Sequence, residues 1–146
     1  MSLFFDTSVL VAAFWGDHPN HVASLEVFSA ASKESAFCAT HSLAELYSVT
    51  TRLPVRPGIS PEMAMMFVEE VRKRLSVVGL DEGDYYATLQ NVYQRGIVGG
   101  RIYDALLLQC ARKVQATTIY TWNMGDFQRL APDLAQLICT PNDRSK

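Results

Sequence analysis

Three carboxylates in this sequence are surrounded by apolar residues. Asp6 follows the apolar run SLFF, Glu45 lies within HSLAELYSV, and Asp104 lies within IYDALLLQCA. An ionised acid in apolar surroundings is unfavourable unless it is paired or binds a cation. Several carboxylates in one place also repel each other unless positive charge offsets them. If the three acids meet in the fold, the chemistry that they indicate is divalent-metal binding.

Each acid also has a simpler structural explanation. Asp6 could cap the helix that follows it, because aspartate is a common N-cap residue. Apolar residues surround most of the axis of the helix that carries Glu45, so we expect this helix to be largely buried, although Glu45 could lie on one exposed stripe of it. Asp104 could stabilise the first turn of its helix through the helix dipole. These alternatives stay open for each acid singly, and only a shared location at one sheet edge favours a common site.

A fourth candidate region, TWNMGDF, follows the β-branched run TTIYT. We expect Asn123 and Asp126 in the loop between this strand and a short helix over residues 127–130. Asp126 could add charge for a second metal ion or simply cap that helix. Asn123 offers an oxygen ligand without charge.

Hydroxyl groups lie beside these acids in the sequence. Thr7, Ser8 and Thr121 could orient a metal ion or its water, although such residues more often cap helices. Oxygen ligands without clustered histidine or cysteine favour Mg²⁺ or Mn²⁺ over zinc. His18, His21 and His41 do not follow a zinc-binding spacing, and His41 is expected at the surface or at a helix cap.

Strand and helix patterns alternate along the chain. Predicted strands cover residues 2–5, 36–40, 75–80, 117–121 and a short segment near 137–139. A helix is predicted over 9–15, with Thr7 or Ser8 as its N-cap. Further helices are predicted over 20–32, 42–52, 61–74, 82–95, 101–114 and 127–130, with Ser60 as the N-cap before Pro61 and Asp81 as the N-cap of the next helix. This alternation favours a parallel sheet with helices on both faces. In such a sheet ligands bind beyond the carboxyl ends of the strands, where Asp6 would lie.

Size and composition predict one domain. The chain has 146 residues, and we expect one domain over residues 1–140 with a frayed tail over 141–146. The net charge of −2 does not by itself indicate a nucleic-acid-binding protein. The longest apolar run is shorter than the ~20 residues of a membrane helix. An odd number of cysteines, three, is typical of a reducing compartment, so we expect a cytoplasmic protein.

Four ordered segments, FFDTSVL, AELYSVTTRLP, GGRIYDALLLQCA and TIYTWNMGDF, resemble those of PIN-domain ribonucleases. Within that group the chain is similar to the VapC-type toxins of VapBC toxin–antitoxin pairs. The resemblance implies a three-layer α/β/α sandwich with a mainly parallel central sheet. It also implies metal-dependent endoribonuclease activity with Mg²⁺ or Mn²⁺, an RNA substrate, a cognate antitoxin and a homodimer.

By motif position, Asp6, Glu45 and Asp104 match the three central acids of the family. The fourth acid often follows a threonine in a T-x-D pattern, but this chain has Thr121-Trp122-Asn123. That departure puts the second metal position in doubt, and Asp126 is the candidate replacement.

Other residues could hold RNA or a partner. Arg52, Arg56 and Arg101 are candidate phosphate contacts, and Trp122 could stack a base or pack in the core. The segment EMAMMFVEEVRKRL places Met63, Met66, Phe67 and Val71 at helical spacing. Together with the helix over 20–32, its apolar face could contact an antitoxin or a second copy, or pack on the sheet.

Two other functions compete with the nuclease. A haloacid-dehalogenase-like phosphohydrolase also begins with an aspartate after its first strand, but its DxDxT motif requires an acid where this chain has Ser8. A non-enzymatic binding domain could use the same sheet edge. Its most credible form is a degenerate PIN domain that binds RNA or a protein without cleavage, because Asn123 replaces an acid.

Overall fold

A computed structural model describes residues 1–143 of the chain. Its strands are β1 (Leu3–Phe5), β2 (Ala36–Ala39), β3 (Ser76–Val78), β4 (Thr118–Tyr120) and β5 (Ile138–Cys139). Its α-helices are α1 (Thr7–Phe14), α2 (His21–Ser29), α3 (Thr40–Thr51), α4 (Pro61–Arg74), α5 (Glu82–Gln94), α6 (Arg101–Lys113) and α7 (Met124–Leu130). Short 3₁₀ helices cover Pro132–Leu137 and Pro141–Asp143.

The strands form one parallel sheet in the order β3-β2-β1-β4-β5. The chain builds outward from β1 through β2 to β3, and then crosses over to add β4 and β5 on the other side. The direction of winding therefore reverses between β1 and β4. In open α/β sheets such a reversal opens a crevice at the carboxyl ends of the strands.

Neighbouring side chains of β1 belong to opposite faces of the sheet. Phe5 packs into a cluster that includes Leu10 of α1 and Phe28 of α2, whereas Phe4 packs into a cluster with Leu107 of α6 and Phe127 of α7. This alternation follows from the two-residue period of a strand. The sheet thus lies between two layers of helices, and the predicted α/β/α sandwich is confirmed.

Two predicted helix starts are also confirmed. Ser60 caps α4, where its Oγ accepts a hydrogen bond from the Met63 amide at 3.1 Å and Pro61 occupies the first helical position. Asp81 caps α5 in a reciprocal capping box with Asp84. Both starts depend on residues three positions apart, so the sequence contains all the information that they need.

Other local predictions were wrong. Thr7 and Ser8 do not precede α1 as caps but lie inside it, because the helix begins directly after Asp6. The helix expected near Phe127 begins at Met124, so Asp126 lies in its first turn rather than in a loop.

The burial of α3 and the end of the chain also differ from expectation. Helix α3 was expected to be largely buried, but Tyr47 on it is 37% exposed, and the buried side chains of the helix are Ser42, Leu46 and Thr50. The tail expected to fray from residue 141 forms a 3₁₀ helix over Pro141–Asp143, with Pro141 buried. Residues 144–146 lie outside the described residues.

The helices within residues 1–143 are all too short or too polar to cross a membrane.

Replacing a buried leucine by alanine should lower the free energy of unfolding much more than replacing an exposed one. Leu10 is completely buried in the α1–α2 side of the core, whereas Leu89 on α5 is 49% exposed. Leu10→Ala should lower the free energy of unfolding by about 2–5 kcal/mol, because it leaves a cavity. Leu89→Ala should change the free energy of unfolding by less than about 1 kcal/mol. Urea unfolding measures both, and equal losses would contradict this core.

Candidate metal centre

Asp6 lies where β1 and β4 end side by side. The register pairs Phe5 with Tyr120, so the next residues, Asp6 and Thr121, are neighbours at the carboxyl edge. Asp6 is only 3% exposed. Its Oδ2 accepts hydrogen bonds from Thr121 Oγ1 at 2.8 Å and from Ser8 Oγ at 2.7 Å. The carboxylate is therefore held in a fixed orientation by two hydroxyls.

The same two hydroxyls tie the loop after β4 to Asp6. Ser8 Oγ accepts from the Trp122 amide at 3.0 Å, and Thr121 Oγ1 accepts from the Asn123 amide at 3.0 Å. Because each hydroxyl donates to the carboxylate and accepts from the backbone, the loop cannot move independently of the acid. Thr7, Ser8 and Thr121 thus orient side chains of the site instead of capping helices.

Glu45 reaches the same edge from α3. Its Oε1 accepts a hydrogen bond from Thr7 Oγ1 at 2.9 Å, and Thr7 Oγ1 also lies 2.8 Å from Ser42 Oγ. Ser42 is fully buried and was not expected at the site. Its position three residues before Glu45 puts both side chains on one face of α3, which is the signal that could have identified it.

Asp104 lies in the first turn of α6 and is partly buried. Burial, followed by the negative charges of Asp6, Glu45 and Asp126, raises its pKa to about 6, while Arg101 partly opposes the rise. Burial also raises the pKa of Asp6, although its hydroxyl donors act in the opposite direction. The acids therefore lie close enough to repel each other, as expected of a site that attracts a cation.

Asp6, Glu45 and Asp104 line a single pocket of about 460 Å³. Asn123 lines it as well, and the pocket extends along α1 to the beginning of α2. The sequence-predicted acids of β1, α3 and α6 are thus brought together in one cavity.

The donor set fits a hard divalent cation in its chemistry. All three acids supply oxygen, the ligand atom that Mg²⁺ and Mn²⁺ favour. Within residues 1–143, however, no three histidine, cysteine, aspartate or glutamate side chains stand close enough to ligate one ion together. Mg²⁺ commonly binds one or two carboxylates directly and keeps several waters. The arrangement therefore fits a partly hydrated ion rather than one enclosed by protein ligands.

Asp126 and Asn123 differ in their relation to this pocket. The Asp126 side chain is 58% exposed and forms an ion pair with Arg129, although its charge contributes to the raised pKa of Asp104. Asn123 lines the pocket itself, and only its backbone amide is engaged with Thr121. Of these two residues, the asparagine and not the acid therefore lines the pocket.

The basic residues predicted to contact RNA are all exposed. Arg101 begins α6 and lies close enough to Asp104 to affect its pKa. Arg52 follows α3 directly, beside Leu53, which lines the pocket. Arg56 lies in the loop between α3 and α4.

Aromatic side chains lie on two sides of the acids. Trp122 packs against the core cluster around Phe5 and donates from Nε1 to Ser24 Oγ at 2.8 Å, while part of the residue lines the pocket. His41 stacks on Tyr103 with ring centroids 5.6 Å apart, and its Nε2 lies 3.7 Å from Glu45 Oε1. The pair joins α3 to α6, a relation that the separate sequence segments did not reveal.

Comparison with known proteins agrees with this architecture. The PIN-domain family model matches residues 3–131. The chain is 31% identical over 102 residues to "Ribonuclease VapC40" of Mycobacterium tuberculosis, a match that covers 70% of this chain and 72% of that protein.

Solved structures share the fold. That of M. tuberculosis VapC20, described as a "Sarcin-Ricin loop cleaving toxin", has a TM-score of 0.71 at 18% identity and covers 88% of this chain and 94% of the other. A "Toxin-antitoxin complex from Klebsiella pneumoniae" has a TM-score of 0.61 at 13% identity, with coverage of 96% and 98%. From the family match and the VapC40 relative together, we conclude that the chain belongs to the PIN-domain family.

Proposed function

We propose that this protein is a divalent-metal-dependent endoribonuclease that hydrolyses RNA phosphodiester bonds. The observation that carries the proposal is the meeting of Asp6, Glu45 and Asp104 in one pocket of a PIN domain. The name of the VapC40 relative, a ribonuclease, supports RNA as the substrate.

Asp6 and Asp104 would hold one partly hydrated Mg²⁺ or Mn²⁺ directly, with Glu45 acting on it through a bound water. Such an ion, when bound, supplies positive charge to the phosphate in the transition state and activates water. The hydroxyls of Ser8 and Thr121 fix the direction of the Asp6 carboxylate, and Thr7 fixes that of Glu45. Preorganised ligands of this kind avoid reorganisation during the reaction.

A second ion would be held weakly. Asn123 supplies no charge at the pocket, and Asp126 is shared with Arg129. We therefore assign the main catalytic role to the site of the three central acids and a supporting electrostatic role to Asp126.

RNA would approach across the exposed arginines beside the pocket. Arg101 precedes Asp104 by one helical turn, and Arg52 lies beside the pocket residue Leu53. Guanidinium groups make paired hydrogen bonds to phosphate oxygens. Arg56 lies in the loop that follows Arg52, and it would contact a further phosphate along the RNA strand.

We further infer that the protein is the toxin of a toxin–antitoxin pair, as the Klebsiella pneumoniae complex with the same fold suggests. Phe67 and Val71 of α4 pack inward, but Met63 and Met66 are 44% and 65% exposed. These methionines would offer apolar contacts to an antitoxin or a second copy, and Val22 of α2, which is 68% exposed, could add another. The cytoplasmic location and the homodimer stay predictions.

Removing one central acid tests the nuclease. Asp104→Asn keeps the shape of the side chain but removes a negative charge from the pocket. Cleavage of total RNA in Mg²⁺ or Mn²⁺ should fall by at least about 100-fold, because even outer-shell changes cost 10–100-fold at metal sites. EDTA should abolish cleavage by the wild-type protein.

Asp133→Asn is the matched control, since Asp133 pairs with Arg112 and does not line this pocket. It should cleave as the wild type does. Equal activity of Asp104→Asn and wild type would refute the assignment, and no cleavage by folded wild-type protein would favour a degenerate, non-cleaving PIN domain.

The raised pKa of Asp104 allows the cluster of acids to be tested without RNA, through the pH dependence of stability. Its pKa is 3.8 in ordinary surroundings and about 6 in the fold. The metal-free folded protein therefore binds more protons than the unfolded chain between these values, and this carboxyl destabilises the fold as pH rises through them. In EDTA, the stability of Asp104→Asn relative to wild type should increase between pH about 4 and about 7. Thermal unfolding at several pH values measures this difference, and parallel curves would contradict it.

Restoring the missing acid should strengthen cation binding. Asn123→Asp places a carboxylate at the pocket, where it would attract a second ion. We expect Mn²⁺ to bind several-fold more tightly by calorimetric titration, whereas Gln90→Ala on the exposed surface of α5 should leave the affinity unchanged. Unchanged or weaker Mn²⁺ binding by Asn123→Asp would exclude this position as a ligand position.

A further inference from the structure

The pocket of the three acids has a second half that the metal chemistry does not use. Beyond Asp6 it continues to Trp15 at the end of α1 and to His18 and Asn20 in the turn before α2. The whole cavity has a volume of about 460 Å³, in the range of pockets that hold small organic ligands. A hydrated ion at the acids leaves the remaining part available.

Two indole rings and the imidazole ring of His18 are among the side chains that line this pocket. The chain has two tryptophans, and both Trp15 and Trp122 line the pocket. Trp122 is fixed by its hydrogen bond to Ser24, and Trp15 packs edge-on against His18 with centroids 5.5 Å apart. Rings held in this way form stacking surfaces for planar ligands.

Polar groups beside these rings are left without protein partners. Trp15 Nε1 is buried and has no hydrogen-bond partner among residues 1–143, which is rare for a buried donor. Asn20 occupies the N-cap position of α2, yet within the same residues its side chain makes no capping hydrogen bond. The side-chain amide of Asn20 is thus not used as a helix cap, and it has groups that can both donate to and accept from a ligand.

His18 adds a defined donor. Its Nδ1 accepts a hydrogen bond from the backbone N–H of Asn20 at 3.0 Å, so the proton of the neutral ring is on Nε2. Burial, with a smaller effect of His21, lowers the pKa of His18 and favours that neutral form. The group is thus suited to hydrogen bonding rather than to ion pairing.

We propose that Trp15, His18, Asn20 and Trp122 form a subsite that binds one unstacked base of single-stranded RNA beside the acids. Unpaired bases are recognised by stacking on aromatic rings and by hydrogen bonds to their edges. A nucleotide matches both halves of the pocket, because its base suits the rings and its phosphate suits a cation held by the acids. Turning the Trp15 ring on binding would also give its N–H an acceptor on the base.

The inference rests on the proposed ribonuclease function but can be tested apart from it. Nucleoside 5′-monophosphates contain no internucleotide bond, so wild-type protein with Mn²⁺ can be titrated without cleavage. Because both tryptophans line the subsite, binding should change the intrinsic tryptophan fluorescence saturably. We also expect the four bases to differ in affinity.

Asn20→Ala removes the amide without removing a cap. It should weaken nucleotide binding about three- to tenfold, the effect of one lost hydrogen bond, and should reduce the difference between bases. Gln90→Ala, which removes an amide from the exposed surface of α5, should bind like the wild type. Trp15→Phe keeps a ring and should retain fluorescence-detected binding through Trp122, with altered base preference.

Cleavage provides the second measurement. If RNA is cut, Asn20→Ala should raise KM more than it lowers kcat and should relax the base preference next to the cut. Unchanged fluorescence with every nucleotide, together with identical cutting positions and KM in Asn20→Ala, would overturn the subsite. If the wild type binds nucleotides here but cleaves no RNA, the nuclease proposal fails while the base subsite stands.

Discussion

The arrangement of this site depends on one buried carboxylate, Asp6, at the junction of β1 and β4. Burying an acid is unfavourable unless hydrogen bonds compensate for the lost water. Ser8 and Thr121 offset part of this cost, and the same hydroxyls then position the backbone of the loop after β4. A small network of hydrogen bonds around Asp6 thus connects the first strand, the first helix and the loop that carries Asn123.

Repulsion between the acids around Asp6 destabilises the site, and the packing of the surrounding core keeps them in place. Asp104 is partly buried and lies near three other acids, Asp6, Glu45 and Asp126, so its pKa is raised to about 6. The energy for this arrangement comes from the core on both sides of the sheet, where Phe4, Phe5 and Leu107 are fully or almost fully buried. Functional sites often contain such locally unfavourable features, supported by the stability of the surrounding fold.

The parts that could be predicted from the sequence are those whose cause is local or follows from topology. Capping by Ser60 and Asp81 depends on neighbouring residues, and the convergence of the acids follows from the carboxyl ends of parallel strands. The predicted caps Thr7 and Ser8 were wrong because their hydroxyls have better partners in tertiary contacts, such as Glu45 on another helix. Likewise, nothing local relates the α1–α2 turn to Trp122, so the aromatic half of the pocket became visible only in the fold.

The hydrogen bond between Asp6 and Thr121 also has a consequence for biosynthesis, since it joins residues 115 positions apart. During translation Asp6 is made early, whereas Thr121 follows only after β2, β3 and the helices between them have been synthesised. The pocket therefore cannot form before the chain has been extended through β4. Until then the acid that is buried in the folded protein lacks one of its two hydroxyl donors.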